Sequence, residues 1–141
     1  MDQIPDYYGR PLIMENAGPL GLCYSWSNIY WIPKHLVWRK NGKNLTLKEY
    51  LGNGYLRTQQ YEDAGIQIID LSSEEIKESV EEGLSRIRGQ WIDTDEVIRR
   101  LRNFWDKFKK WSDFSKYHGW LNQDARVSSH FLKKIGAGFY E

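Results

Sequence analysis

Residues 66–75 read IQIIDLSSEE, a β-branched strand followed at once by the start of a helix. The apolar run from Ile66 to Leu71 has the length of a buried strand. Ser72 and Glu75 form a capping box, in which each side chain satisfies a backbone N–H that the first helical turn leaves open. A strand followed by a capped helix indicates an α/β layer with a parallel sheet.

Two shorter apolar runs predict further strands, at residues 11–14 and 28–32. Pro33 stops the second of them. These strands are fewer than a parallel sheet covered on both faces usually has. Residues 1–141 are therefore expected to form one domain or part of one, in which the remaining strands lie in a longer chain or in a partner.

Helices dominate residues 72–141, whereas residues 1–71 are rich in strands and loops and hold one short helix, capped by Thr46 and Glu49. The helix after Ser72 is predicted to bury a stripe of Ile76, Val80, Leu84 and Ile87 and to end near Gly89. A second helix begins near Asp93, with Val97, Leu101, Phe104, Trp105, Phe108 and Trp111 inward. A third begins after Asp124, with Val127, Phe131 and Ile135 inward, and ends at Gly136. The predicted fold is an α/β layer of few parallel strands followed by three C-terminal helices.

The composition excludes several classes of protein. The formal net charge is +1 at pH 7, so nucleic acid is not expected as a partner. Cys23 is the single cysteine and cannot form an internal disulfide, which fits a reducing compartment. The first residues lack a signal-peptide pattern, and no run approaches the ~18 apolar residues of a membrane span. We therefore expect a cytoplasmic protein.

The sequence Asp93-Thr94-Asp95 has two interpretations. Some sugar-nucleotide enzymes hold Mg²⁺ or Mn²⁺ with an Asp-x-Asp pattern, whose oxygen ligands suit these ions. At the start of a helix the same acids satisfy free N–H groups and complement the dipole, and this interpretation is favoured. His35, His118 and His130 lack the spacing of metal ligands or of a catalytic triad, so a structural or surface role is favoured. We expect neither a metal nor a cofactor.

Residues 15–19, ENAGP, follow the first strand directly. Ligands of open α/β sheets bind beyond the carboxyl ends of the strands. Asn16 offers a donor and acceptors there, and Gly18 lets a ligand approach the backbone. An ordinary turn is the alternative, and the residues alone leave both open.

Lysines alternate with aromatic residues near the end of the second predicted helix. They are Lys107, Lys109, Lys110 and Lys116, with Phe108, Trp111, Phe114 and Tyr117. Such stretches dock on anionic membranes or on single-stranded nucleic acid. The favoured interpretation is a buried aromatic stripe with a solvated basic face, and contact with the inner face of a membrane is kept as an alternative.

Short motifs follow one another in a characteristic order along most of the chain. They are Ile4-Pro5, residues 8–12 (YGRPL), Asn16, residues 19–21 (PLG), residues 32–34 (IPK), residues 45–49 (LTLKE), residues 61–66 (YEDAGI), residues 73–76 (SEEI), Glu82 and residues 125–132 (ARVSSHFL). This order resembles the C-terminal region of a family of bacterial glycosyltransferases of the GT-B type. Ser128 departs from the family pattern, which has a glycine there.

The resemblance implies a partial Rossmann-like layer that holds a nucleotide-sugar donor, in a transferase of surface glycan or polysaccharide synthesis. It also implies that the loop of Asn16, Gly18 and Pro19 borders the donor and that Lys34 meets a phosphate. Family members carry a preceding domain, so this chain is expected to be inactive alone, and no catalytic residue is assigned. A non-catalytic binding or scaffold module, with the basic-aromatic helix facing a membrane or protein, is the alternative.

Overall fold

The computed structural model describes residues 4–23, 27–117, 122 and 125–141. The strands are β1 (Leu12–Ala17), β2 (Ile29–Pro33), β3 (His35–Trp38), β4 (Ile66–Ile69) and β5 (Arg126–Val127). The helices are α1 (Ile4–Tyr7), α2 (Leu47–Gly52), α3 (Thr58–Asp63), α4 (Ser73–Ile87), α5 (Asp95–Phe108), α6 (Phe114–Tyr117) and α7 (Ser129–Ile135), with 3-10 turns at Leu20–Leu22 and Ala137–Tyr140. The prediction of a mixed α/β fold is confirmed.

The centre of the fold is a three-stranded parallel sheet in the order β1-β2-β5. All residues of β2 are buried, and they alternate between two layers. Ile29 and Trp31 join the large apolar cluster that includes α5, whereas Tyr30 and Ile32 join a smaller one on the side of α4. Helices therefore cover both faces, as a parallel sheet requires.

The predicted strand at residues 66–71 exists as β4, but its assignment to the parallel sheet is wrong. β4 pairs antiparallel with β3, with Trp38 opposite Ile66, in a separate two-stranded sheet. β3 itself was not predicted from the sequence. Lys34 alone separates it from β2, so the chain leaves the parallel sheet there and β4 returns beside β3.

The predicted buried stripe of α4 is also wrong. Leu84 and Ile87 are 39% and 44% exposed, and Ile76 and Val80 are half-buried. The helix instead buries Ser79, Glu82 and Gly83. A Cβ on Gly83 would lie 2.8 Å from Ile13 Cδ1 and 3.1 Å from Tyr30 Cδ1, so the missing side chain lets α4 lie close to the sheet.

The remaining helices follow the predictions more closely. Both capping boxes are confirmed, at the starts of α2 and α4. The inward face of α5 is confirmed, with Leu101, Phe104, Trp105 and Phe108 buried.

The predicted start of the last helix is wrong: Val127 lies in β5, and Ser128 is the N-cap of α7. The Ser128 hydroxyl accepts a hydrogen bond from the Phe131 N–H at 3.1 Å. Asp124 and His118 lie outside the described residues. Within the part of the chain that the structure describes, no helix has the length and apolarity needed to cross a bilayer.

Candidate functional site

A cleft opens at the carboxyl ends of β1 and β2. It holds about 610 Å³ of space, part of it open to solvent. Its lining is Ala17, Gly18, Pro19, Leu20, Lys34, Leu36, Tyr50, Tyr55, Leu56, Arg57, Thr58, Tyr61 and Ile68. This is the edge of a parallel sheet at which α/β proteins bind ligands. We call it the donor cleft, after the ligand that the family resemblance leads us to expect.

Three of the four residues predicted to bind substrate meet in the donor cleft: Gly18, Pro19 and Lys34. Gly18 follows β1, and no atom lies within 4 Å of the place where its Cβ would be, so its backbone can be approached closely. Pro19 is joined to it by a cis peptide bond. The Cys23 thiol lies behind this turn, 3.6 Å from the Pro19 carbonyl oxygen, and burial raises its pKa to about 12. Cys23 therefore remains a protonated, structural thiol.

Asn16, the fourth predicted residue, does not line the donor cleft. It lies where the pairing of β1 with β2 becomes irregular, and its φ of 50° is one that asparagine tolerates better than most residues. Its side-chain oxygen accepts a hydrogen bond from the Leu71 N–H at 3.1 Å. In this structure Asn16 ties the end of β1 to the segment that leads into α4.

Lys34 is held in place through its backbone. The Tyr50 hydroxyl donates to the Lys34 carbonyl oxygen at 3.0 Å and accepts from the Leu36 N–H at 2.8 Å. Burial raises the pKa of Tyr50, so the phenol remains a donor. The Lys34 side chain is 37% exposed and pairs at 2.8 Å with Asp70, which is 71% exposed. Such an exposed pair contributes little, so Lys34 can exchange Asp70 for another anion at small cost.

Further lining residues come from α3 and the segment just before it, which was not assigned to a site from the sequence. Arg57 is exposed, and within residues 4–23, 27–117, 122 and 125–141 its guanidinium forms no ion pair. Tyr55 and Tyr61 stand edge to face, with ring centroids 5.1 Å apart. The cleft thus combines two cations with aromatic walls, and no acid or histidine is among its described lining residues. These groups are suited to binding an anionic ligand with a planar part, and the described lining has neither a carboxylate nor an imidazole to act as a general base.

Several acids gather with the two described histidines on the side of the sheet that α4 covers, near α7. Glu82 is fully buried and accepts from the Ser129 N–H at 3.1 Å, the Ser129 hydroxyl at 2.6 Å and Arg86 Nε at 3.0 Å. Arg86 also donates to Asp93 at 2.6 Å. Burial opposes ionisation of Asp93, but the hydrogen bonds from Arg86 outweigh it and lower its pKa. Asp93 therefore forms an ion pair with Arg86. The helix α5 begins after it, at Asp95, with Thr94 as its N-cap.

The two described histidines contact acids of α4. His35 Nε2 lies 2.7 Å from Glu75 Oε1, and its ring stacks on Phe131. His130 lies 3.5 Å from Glu78 and 3.9 Å from Glu82. Burial opposes ionisation of Glu75, but hydrogen bonds from Lys134, the Ser72 backbone and His35 lower its pKa to about 2. These contacts join β3 and α7 to α4, which is a structural role.

Among the described residues, no group of three or more acids, histidines or cysteines could hold a metal ion. Comparisons of the chain with models of known protein families, with curated proteins and with solved structures find no match. The chemistry of the site therefore has to be inferred from its own residues.

Proposed function

We propose that this chain is the donor-side, C-terminal part of a cytoplasmic GT-B-type glycosyltransferase, which transfers a sugar from a nucleotide-sugar in surface glycan or polysaccharide synthesis. The observation that supports this most is the donor cleft. It lies at the carboxyl ends of two parallel strands, and Lys34 and Arg57 are both among its lining residues. Two cations in one cleft suit the charge of a diphosphate.

The remaining parts of the donor cleft suit the remaining parts of a nucleotide-sugar. The open backbone at Gly18 lets phosphate or ribose oxygens approach the turn after β1. The phenol rings of Tyr55 and Tyr61 offer an apolar wall of the kind that a nucleobase packs against. To bind a phosphate, Lys34 has to break only its exposed ion pair with Asp70, which contributes little to stability.

Donor binding without transfer is what we expect of this chain alone, because the described lining residues include neither a carboxylate nor an imidazole to act as a general base. In the described part of the chain, β1 is at the edge of the sheet and pairs only with β2. Leu84 and Ile87 are exposed on α4, the helix that covers this part of the sheet. An open strand edge beside an apolar helix face is where a further strand and helix would add. This supports a catalytic unit completed by another domain or partner chain.

Titration of the ¹⁵N-labelled chain with uridine and guanosine diphosphates and their sugars tests the proposal. We expect backbone shifts at Gly18, Lys34 and Arg57, and saturable binding by calorimetry. Lys34→Gln and Arg57→Gln should each weaken the binding roughly tenfold or more, since each removes a charge-assisted hydrogen bond. Lys77→Gln, an exposed lysine of α4 that is absent from the cleft lining, is the matched control.

Two results would overturn the proposal. One is the lack of any response at the donor cleft to uridine or guanosine diphosphates and their sugars at millimolar concentration. The other is binding that Lys77→Gln weakens as much as the two cleft variants do.

A further inference from the structure

A second concave surface lies between the start of α2 and the end of α5. It holds about 880 Å³ of space, part of it open to solvent. We call it the lysine groove; its lining is Leu47, Lys48, Leu51, Lys107, Lys110, Trp111, Ser112 and Glu141. It shares no lining residue with the donor cleft, so a role for the lysine groove does not depend on the proposed function.

The floor of the lysine groove is apolar. Leu47 and Leu51 are buried, and they present the apolar side of α2. The indole of Trp111 occupies the space where a side chain of Gly21 would be, since a Cβ there would lie 2.5 Å from the ring atom Cη2. Trp111 is half-buried, so part of its ring faces the groove, and Leu22, the residue after Gly21, is 42% exposed.

Three exposed lysines line the lysine groove, and helix stability does not explain all of them. Lys48 lies in the first turn of α2, where the helix dipole opposes a cation. Lys107 and Lys110 are three residues apart and repel each other. In the described part of the chain none of the three forms an ion pair, and Glu141 is the one acid of the groove lining. Lys107, in the last turn of α5, is favoured by the helix dipole, but the positive charge gathered in the groove is one that an anionic partner would neutralise.

We infer that the lysine groove docks the protein on an anionic lipid membrane. Lysines attract the negative lipid headgroups, and tryptophan rings are enriched at headgroup depth. Nucleic acid suits the groove less well. The formal net charge of the chain is only +1, and the described groove lining has a single aromatic residue rather than a row on which bases could stack.

Co-sedimentation of the chain with lipid vesicles tests this inference. In low salt we expect binding to vesicles of equal parts phosphatidylglycerol and phosphatidylcholine, and none to phosphatidylcholine alone. The triple variant Lys48→Gln, Lys107→Gln, Lys110→Gln should bind roughly 100-fold more weakly, since each lysine near such a surface contributes about fivefold. High salt should weaken the wild type in the same way.

A second triple variant controls for total charge. It carries Lys43→Gln, Lys77→Gln and Lys133→Gln, three exposed lysines outside the lysine groove, and should bind within about twofold of the wild type. Circular dichroism checks that both variants fold. The inference is overturned by equal losses in the two triples, by absent binding to anionic vesicles, by equal binding to neutral ones, or by tighter binding to a single-stranded oligonucleotide than to vesicles.

Discussion

Replacing Glu82 with alanine is expected to lower the free energy of unfolding by about 3–5 kcal/mol, the usual cost of breaking a buried charge pair. The side chain is fully buried and accepts three hydrogen bonds, two from Ser129 and one from Arg86. Through Ser129 it holds the first turn of α7 against α4. Alanine would leave the Ser129 N–H and hydroxyl buried without these acceptors.

The expected loss of unfolding free energy has one part from Ser129 and one from Arg86. Each unsatisfied buried group of Ser129 costs about 1–3 kcal/mol. Arg86 keeps its contact with Asp93 at 2.6 Å, so it does not become an isolated charge, and the lower half of the range is expected. Glu82→Gln can keep its amide oxygen as the acceptor for Ser129, but it loses the charge and turns an NH2 group towards the Arg86 Nε–H, so it should cost about 1–2 kcal/mol.

Urea unfolding followed by tryptophan fluorescence measures these differences, and the melting temperature of the alanine variant should fall by roughly 10 °C. Glu81→Ala, an exposed neighbour on the same helix, should remain within about 0.5 kcal/mol of the wild type. The reasoning is refuted if Glu82→Ala costs less than about 1 kcal/mol. It is also refuted if Glu82→Gln costs as much as Glu82→Ala, because the acceptor role towards Ser129 would then be unimportant.

Two further predictions concern other parts of the fold. Gly21→Ala should destabilise the protein by about 1–3 kcal/mol in urea unfolding, because its Cβ would lie 2.5 Å from Trp111; Gly52→Ala, with no atom within 4 Å, should stay within about 0.5 kcal/mol. Glu75, whose pKa is lowered from 4.5 to about 2, stabilises the fold above pH 4.5, and this contribution is lost as the pH falls towards 2. The unfolding free energy of Glu75→Gln should therefore fall less than that of the wild type across this interval, and parallel curves would contradict the assignment.

Local rules in the sequence predicted the parts of the fold that depend on neighbouring residues. The capping boxes at Thr46 and Ser72 are correct because cap and partner lie three residues apart. The face of α5 is correct because its aromatic residues recur at helical spacing and meet the sheet through Trp31. The predicted buried stripe of α4 is wrong because the helix instead buries Glu82, which accepts hydrogen bonds from Ser129. Ser129 lies far along the chain, so the helical period of α4 does not reveal this contact.

Local rules in the sequence also predicted part of the donor cleft. The rule that ligands bind beyond the carboxyl ends of strands identified Gly18, and the family resemblance added Pro19 and Lys34. Arg57 carries no motif of its own, and it reaches the cleft because β3 and β4 form a separate sheet that brings α3 alongside. Asn16 lies near the carboxyl end of β1, as predicted, but its side-chain oxygen accepts a hydrogen bond from the Leu71 N–H and does not line the cleft.

The position of β5 has a consequence for how the molecule assembles. Tyr30 and Trp31 in the central strand pair with Arg126 and Val127, so this edge of β2 stays unpaired until a segment far along the chain arrives. Pairing between residues so far apart in the chain slows folding, because closing the intervening loop costs entropy before the contact can form. During synthesis, this buried strand therefore remains uncovered on that side until Arg126 has left the ribosome, and that interval is when aggregation or chaperone capture would compete with folding.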